Sequence, residues 1–421
     1  MNRLRINIFS ILLAAVLSAA FAATDTREQI FDRHFRTLKT QVEDNFMGPN
    51  VIRLDTQDRI IINFDELGDD YSDLEYRLIH CNADWQPSRL VESEYLDGFN
   101  GVKIDDWAYS SNVFVHYVNY QVAFPNDDLR VIHSGNYLFQ VYRQEDPDDV
   151  VLQTRFRVVE PGADVSGYYT TRTDFGHNTE WQQLDFAIDA EGFPIQNPYS
   201  DLKVLVEQNN RESTQRRLEA PQRVEGSRYY YQHNPSLIFP GGNEYRRFES
   251  TSNGFPGMNV DSLRYMGSNY HVWLKPDEEK AQREYQYDRT QHGRYIVREY
   301  NATDSNIGAD YITVYFTLDF PELIDGDIYV DGEMTHGIFD ERNRMTYNRD
   351  RHVYELQMPL KQGQYNYQYV ARKRNSDAAP TPALVEGNKY ETDNEYSVAV
   401  YYCPPGARAD RLIGFGVIEA I

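Results

Sequence analysis

The sequence predicts an all-β protein: three tandem immunoglobulin-like or early-set β-sandwich domains after a signal peptide. Three observations carry that expectation. Tyrosine is the compositional outlier, with 33 Tyr against 4 Trp, and tyrosine with β-branched residues suits the pleated, half-buried surface of a strand. Apolar residues recur at every second position in short segments, as in Leu152, Phe156 and Val158 against Gln153, Arg155 and Arg157, the alternation of a strand with one face buried. Gly, Pro, Asn and Asp punctuate those segments as turns.

The N-terminus reads as a transport signal. Arg3 and Arg5 precede an apolar run at residues 8–20, short of the roughly 20 residues a spanning helix needs. Ala20-Phe21-Ala22 then fits small-x-small cleavage, so residues 1–22 are the expected signal peptide and the mature chain starts near Ala23. With no cysteine at that site a lipid anchor is not expected. No later run is long enough to cross a membrane, so the chain is expected to be exported, soluble and not membrane-inserted. The formal net charge of −23 opposes nucleic acid and anionic lipid, which it repels. It suits solubility or a basic partner surface, and the sign alone does not choose between them. An oxidising compartment permits a disulfide, but Cys81 and Cys403 fall in the first domain and the tail, and Cys81 reads as a small buried apolar side chain.

The first domain is expected at residues 36–160, with strands near 59–64, 76–81, 117–124, 137–143 and 152–159, closed by Pro161-Gly162. Residues 30–45 fit either a helical stripe or an extended edge, and the edge is favoured because the domain otherwise lacks a first strand. The second domain is expected at 163–300: Leu184, Phe186 and Ile188 alternate with polar residues, as do Leu202, Val204 and Val206. Residues 285–299 read as a hairpin turning near His292-Gly293, and 249–261 as a long loop. Polar residues 301–310 read as a linker. The third domain is expected at 311–402, where residues 363–369 echo the Gly-led, Tyr-bearing strand at 135–141. The tail, 403–421, is apolar from Arg411 and is expected to pack on the body or on a partner.

The most distinctive stretch is IHCNADWQPSRLVESEYLDGF at residues 79–99. With FPNDD at 124–128, SGNYLFQVY at 134–142, PDDVVLQTRFRVVEP at 147–161, FPGGNEYRRF at 239–248, KQGQYNYQYV at 361–370 and YYCPPGARADRLIG at 401–414, it resembles the periplasmic plug proteins of the type IX secretion system. The resemblance spans nearly all of the mature chain through the number and order of these motifs. It implies a non-catalytic periplasmic protein at the inner face of the outer membrane. Such a protein binds a large outer-membrane β-barrel translocon and closes its periplasmic mouth. Trp85, Tyr95, Asp97 and Phe99, in the most distinctive loop, are the candidate partner contacts; packing is the alternative reading for the same side chains.

The chemistry the chain lacks fits that expectation. There is no His-Glu-x-x-His, no His-x-His and no Gly-x-Ser-x-Gly. His80 and Cys81 are adjacent on an expected strand and so face opposite sides, which prevents both from binding one ion. The acidic turns at Asp69-Asp70, Asn126-Asp127-Asp128 and 146–149 lack the alternating spacing of a calcium loop. No catalytic residue, metal or cofactor is expected. The rival reading is an envelope glycan-binding protein, because YVDGEMTHGIF at 329–339 and the later GQYNYQYV are similar to early-set, glycogen-binding sandwiches. Those modules stack sugar on aromatic rings. Here His336-Gly337 occupies the place of the platform Trp, and Trp85, Trp107, Trp181 and Trp273 all lie outside the expected third domain, so a glycan partner is disfavoured.

Overall fold

Strands dominate the computed structural model, which describes residues 25–376 and 378–419; the expected signal peptide lies outside the described residues. The all-β expectation holds. The strands form mostly antiparallel sheets that face one another around three large apolar cores.

The first core lies between two sheets. One runs in the order Gln29–Ile30, Asp146–Val159, Gly135–Arg143, Leu74–Cys81 and Val102–Lys103, with Val51–Arg53 beside Asp146–Val159. The other runs Phe35–Val42, Ile60–Leu67, Tyr117–Phe124 and Trp107–Tyr109. Strand alternation sets the filling: Leu74, Tyr76 and Leu78 point inward against Phe64, Tyr120 and Phe139. Phe64 stacks on Tyr120 at 5.1 Å between ring centroids. The extended reading of residues 30–45 is what forms, since Phe35–Val42 edges its sheet.

The second core is assembled from distant parts of the chain. Asp164–Thr170, Trp181–Asp189, Arg228–Tyr231 and Arg223–Glu225 make one sheet. The opposing sheet is Arg216–Leu218, Leu202–Gln208, Tyr396–Tyr402 and Arg411–Ile418. Leu202 pairs with Tyr402 and Gln208 with Tyr396. The strands around the third core lie between these halves in sequence. Arg246–Ser250, Gly363–Lys373 and Tyr295–Val297 form one sheet, and Val260–Met266, Asn269–Leu274, Tyr311–Asp319, Val353–Lys361 and Thr346–Asn348 form the other.

This pairing departs from the tandem division expected at 163–300, 311–402 and 403–421. Tyr396–Tyr402 does not close the third sandwich, and the apolar tail is a full strand of the second. The third sandwich is inserted into the second. The reason is physical: alternation shows that Tyr396, Val398 and Val400 have one buried face, but not which core receives it. Close approach fixes the tail in place. A Cβ added at Gly414 would meet the Ala163 carbonyl oxygen at 2.6 Å, and one at Gly416 would meet Val165 at 2.7 Å. Two smaller expectations are also corrected. Residues 285–299 do not form a hairpin; Tyr295–Val297 pairs instead with Gly363–Tyr365. Residues 301–310 are not a free linker, because they carry the short helix Ser305–Gly308 and end in the buried Asp310.

Removing residues 403–421 is expected to expose the Tyr396–Tyr402 edge and the second core, giving an aggregating or protease-sensitive chain. Limited proteolysis checks this; a truncated chain as resistant as the whole would show that the tail is dispensable.

Candidate functional site

The loop after Leu74–Cys81 turns sharply. Asn82 N donates to the Gln86 carbonyl at 2.9 Å and Trp85 N to the Asn82 carbonyl at 2.9 Å, with Trp85 at φ 62. Trp85 is only 6% exposed and packs against Cys81 and Leu138. The guanidinium groups of Arg155 and Arg157 lie 4.5 Å and 5.3 Å from its ring centre. Those arginines continue into the second sandwich, Arg157 to Glu207 at 3.2 Å and Arg155 to Glu212 at 3.1 Å. Nearby, Ala83 N donates to Asp410 at 3.0 Å, Lys203 pairs with Asp410 at 2.7 Å, and the Tyr401 hydroxyl donates to Asn136 at 2.7 Å. The loop is the bearing surface of a joint.

A second joint ties the first sandwich to the inserted one. Asp65 and Lys361 form an ion pair at 2.7 Å with both side chains 1% exposed. The Tyr311 hydroxyl donates to Asp65 at 2.6 Å, and Lys361 also donates to the Asn306 carbonyl at 2.5 Å. Lys361 lies 4.1 Å from the Tyr117 ring centre, and the Tyr117 hydroxyl donates to the Ala309 carbonyl at 2.7 Å. Asp310 accepts from the backbone of Phe114 and Val115, both at 3.1 Å. Burial drives the Lys361 ammonium below its ordinary range, opposed by Asp65. Lys39–Glu333 and Glu28–His336 pairs flank the joint. Where all three sandwiches meet, a cavity of about 240 Å³ is lined by Trp85, Arg157, Glu207, Tyr245, Arg294 and Glu333.

The four candidate contacts divide. Trp85 is internal. Tyr95 is 5% exposed, with its hydroxyl donating to the Leu78 carbonyl at 3.3 Å. For these two the packing alternative is the one realised, because burial withdraws both rings from any docking surface. Asp97 is exposed and Phe99 is 85% exposed. They flank Gly98, whose φ of +116 and approach to the Asp128 carbonyl leave no room for a side chain. What sequence reasoning missed is the second joint. Asp65, Tyr311 and Lys361 lie far apart in the chain, and the one available signal was a lysine at the end of an apolar strand.

Chemistry at the marked polar residues is muted. Burial pushes the Cys81 thiol up to about 12, so it is protonated and unreactive at neutral pH. Both cysteines are free. Among the described residues no group of three or more His, Cys, Asp or Glu could hold a metal ion.

Residues 35–160 match the family model described as the type 9 secretion system plug protein 1st domain. The solved structure of a hypothetical protein from Parabacteroides merdae ATCC 43184 is 40% identical with a TM-score of 0.91, covering 93% of this chain and 99% of that one. The chain belongs to the type IX secretion system plug protein family. Membership carries a structural plug role related to type IX secretion, in the periplasmic envelope. No curated protein matches. A putative membrane anchored protein from Corynebacterium diphtheriae aligns at 9% identity over 91% of each chain with a TM-score of 0.13, which carries no argument. In this plug family member the matched domain contributes one side of both joints.

Two predictions follow from the buried groups. Lys361→Met leaves Asp65 buried without its cation, which costs about 3–5 kcal/mol. Calorimetry is expected to show a clearly lower unfolding temperature, partly restored by adding Asp65→Asn. Separately, burial pushes His80 down to about 4, with Nε2 on the Ser134 carbonyl at 3.1 Å and Nδ1 unpartnered. The unfolded chain titrates near ~6.5, so between those values it binds more protons than the folded state. The His80 contribution is complete above about pH 6.5 and declines by up to about 3 kcal/mol as pH falls toward 4. Thermal unfolding of His80→Gln across that range is expected to lose this part of the acid sensitivity.

Proposed function

We propose that the chain closes the periplasmic mouth of the type IX outer-membrane translocon barrel by steric fit, without catalysis, and leaves when export begins. The observation that carries the reading is the plug-domain match over residues 35–160. The joints support it, since closing a wide opening needs a body that does not yield at its seams. Multiple hydrogen-bonded charges at a joint resist sliding because displacement leaves buried charge unpaired. The tip at Asp97 and Phe99 is the proposed contact: an exposed aromatic beside a charge suits a reversible interface. Localisation at the inner face of the outer membrane belongs to the same proposal.

One observation favours a second reading, glycan binding. Sheet pairing puts Trp273 in the inserted sandwich, beside Tyr315, with the rings 4.9 Å apart and 7° from parallel. Contrary to the sequence expectation, Trp273 therefore lies within the sandwich that is similar to sugar-binding modules. Tyr365 and Tyr367, in contrast, are core residues, 1% and 2% exposed, and reach no ligand.

A tagged copy used to pull down from outer membranes of the native host is expected to recover a very large barrel protein. Phe99→Asp is expected to weaken that recovery roughly tenfold, the usual scale for an interface aromatic, with an unchanged unfolding temperature. Recovery of no barrel, with or without the other translocon subunits, contradicts the plug reading. A polysaccharide bound on a glycan array and released by Trp273→Ala favours the second.

A further inference from the structure

Between the first and the inserted sandwich, adjoining at His336 the cavity where all three meet, lies a second crevice of about 360 Å³. Its volume is in the range of specific ligand sites, roughly 300–1,000 Å³. The walls are apolar and adaptable, with Ile30, Met334, Ile338, Met358 and Leu360 among them. Methionine fills irregular space and accepts varied partners.

The rim is cationic, in a chain whose net charge is −23. Arg33, Arg36 and Arg342 all line it. Asp340 and Glu341 line it too, but Arg342 neutralises Asp340 at 2.7 Å and Arg344 neutralises Glu341 at 2.5 Å. Among the described residues, Arg33 and Arg36 pair with no carboxylate within 4.0 Å. The half-buried Arg36 donates only to the neighbouring Phe35 carbonyl, at 2.8 Å. Its guanidinium is held below its ordinary range by burial, which outweighs the help of Tyr311 and Asp32, and Arg342 and Arg33 add repulsion. A half-buried cation crowded by like charges is relieved by an anion.

Arg36 and Thr37 come from an edge strand whose ladder is interrupted between Arg36 and Lys39. Thr37 there lies outside the ladder and lines the crevice, whereas the Leu38 carbonyl already accepts from the Tyr295 hydroxyl at 3.1 Å. An extended peptide uses main-chain groups such as those of Thr37 where an acyl chain does not. We propose that this crevice binds an extended peptide segment carrying a carboxylate beside an apolar side chain. The carboxylate meets Arg33 and Arg36, and the apolar side chain enters between Met334, Met358 and Leu360. The site does not rest on the plug reading, because peptide uptake in solution requires no translocon.

Fluorescence anisotropy on the whole purified chain tests it. The probes are labelled five-residue peptides with Asp or Glu flanking Leu, Met or Phe, their Lys-for-acid counterparts, and dodecanoate as competitor. Saturable binding of the acidic peptides alone is expected, weakened roughly tenfold by Arg36→Met and by added salt. The exposed Arg33→Glu, which alters no core, is expected to weaken it as well. Three results would overturn the proposal: no saturable binding by the acidic peptides, binding unchanged in both variants, or dodecanoate bound while the peptides are inert.

Discussion

A carboxylate and an ammonium, each almost wholly removed from water and 2.7 Å apart, join two sandwiches that the sequence separates by hundreds of residues. Asp65 and Lys361 tolerate burial because the surroundings complete them. Tyr311 and Asn119 donate to the carboxylate, while Asn306 and the Tyr117 ring receive the ammonium. A hydrophobic seam of the same area could slip by an ångström at little cost. This one cannot, since any displacement strands a charge in a medium that solvates it poorly. The orientation of the two bodies is therefore specified by a few polar atoms, and much of the surrounding structure serves to keep those atoms dry.

Topology reinforces the same constraint. The inserted sandwich leaves the second one near Pro240 and returns near Tyr396, so it is held by two chain crossings. The loop carrying Trp85 supplies a third restraint, clamping the first sandwich to the second through two arginines stacked on one indole. Together these seams tie the three cores to one another. On the proposed plug reading, closure demands a body that does not deform, and the seams answer it with buried polar contacts beside a small apolar cluster of Ala83, Leu205, Ala399, Tyr401 and Leu412.

Much of this was legible in the sequence, and the limits are instructive. Alternation at Leu152–Val158 and the tyrosine excess led directly to sandwiches, because burial of one strand face is a local property. Partner choice is not local: Tyr396–Tyr402 carries the same pattern whether it closes the third sandwich or the second, so the insertion was invisible. The loop at 79–99 stood out by composition, yet an indole and a phenol there serve the interior while Phe99 faces water. Asp65 and Lys361 gave almost no signal, since one acid and one lysine acquire meaning only when folding brings them together.

The central claim is that these seams hold the sandwiches as a single rigid body. Double electron–electron resonance between spin labels at Thr56 and Asp350, in a Cys403→Ser background, measures it most directly. The account predicts one narrow distance distribution at neutral pH that broadens when Lys361 is replaced by methionine. A broad or multimodal distribution in the otherwise unaltered chain would contradict it.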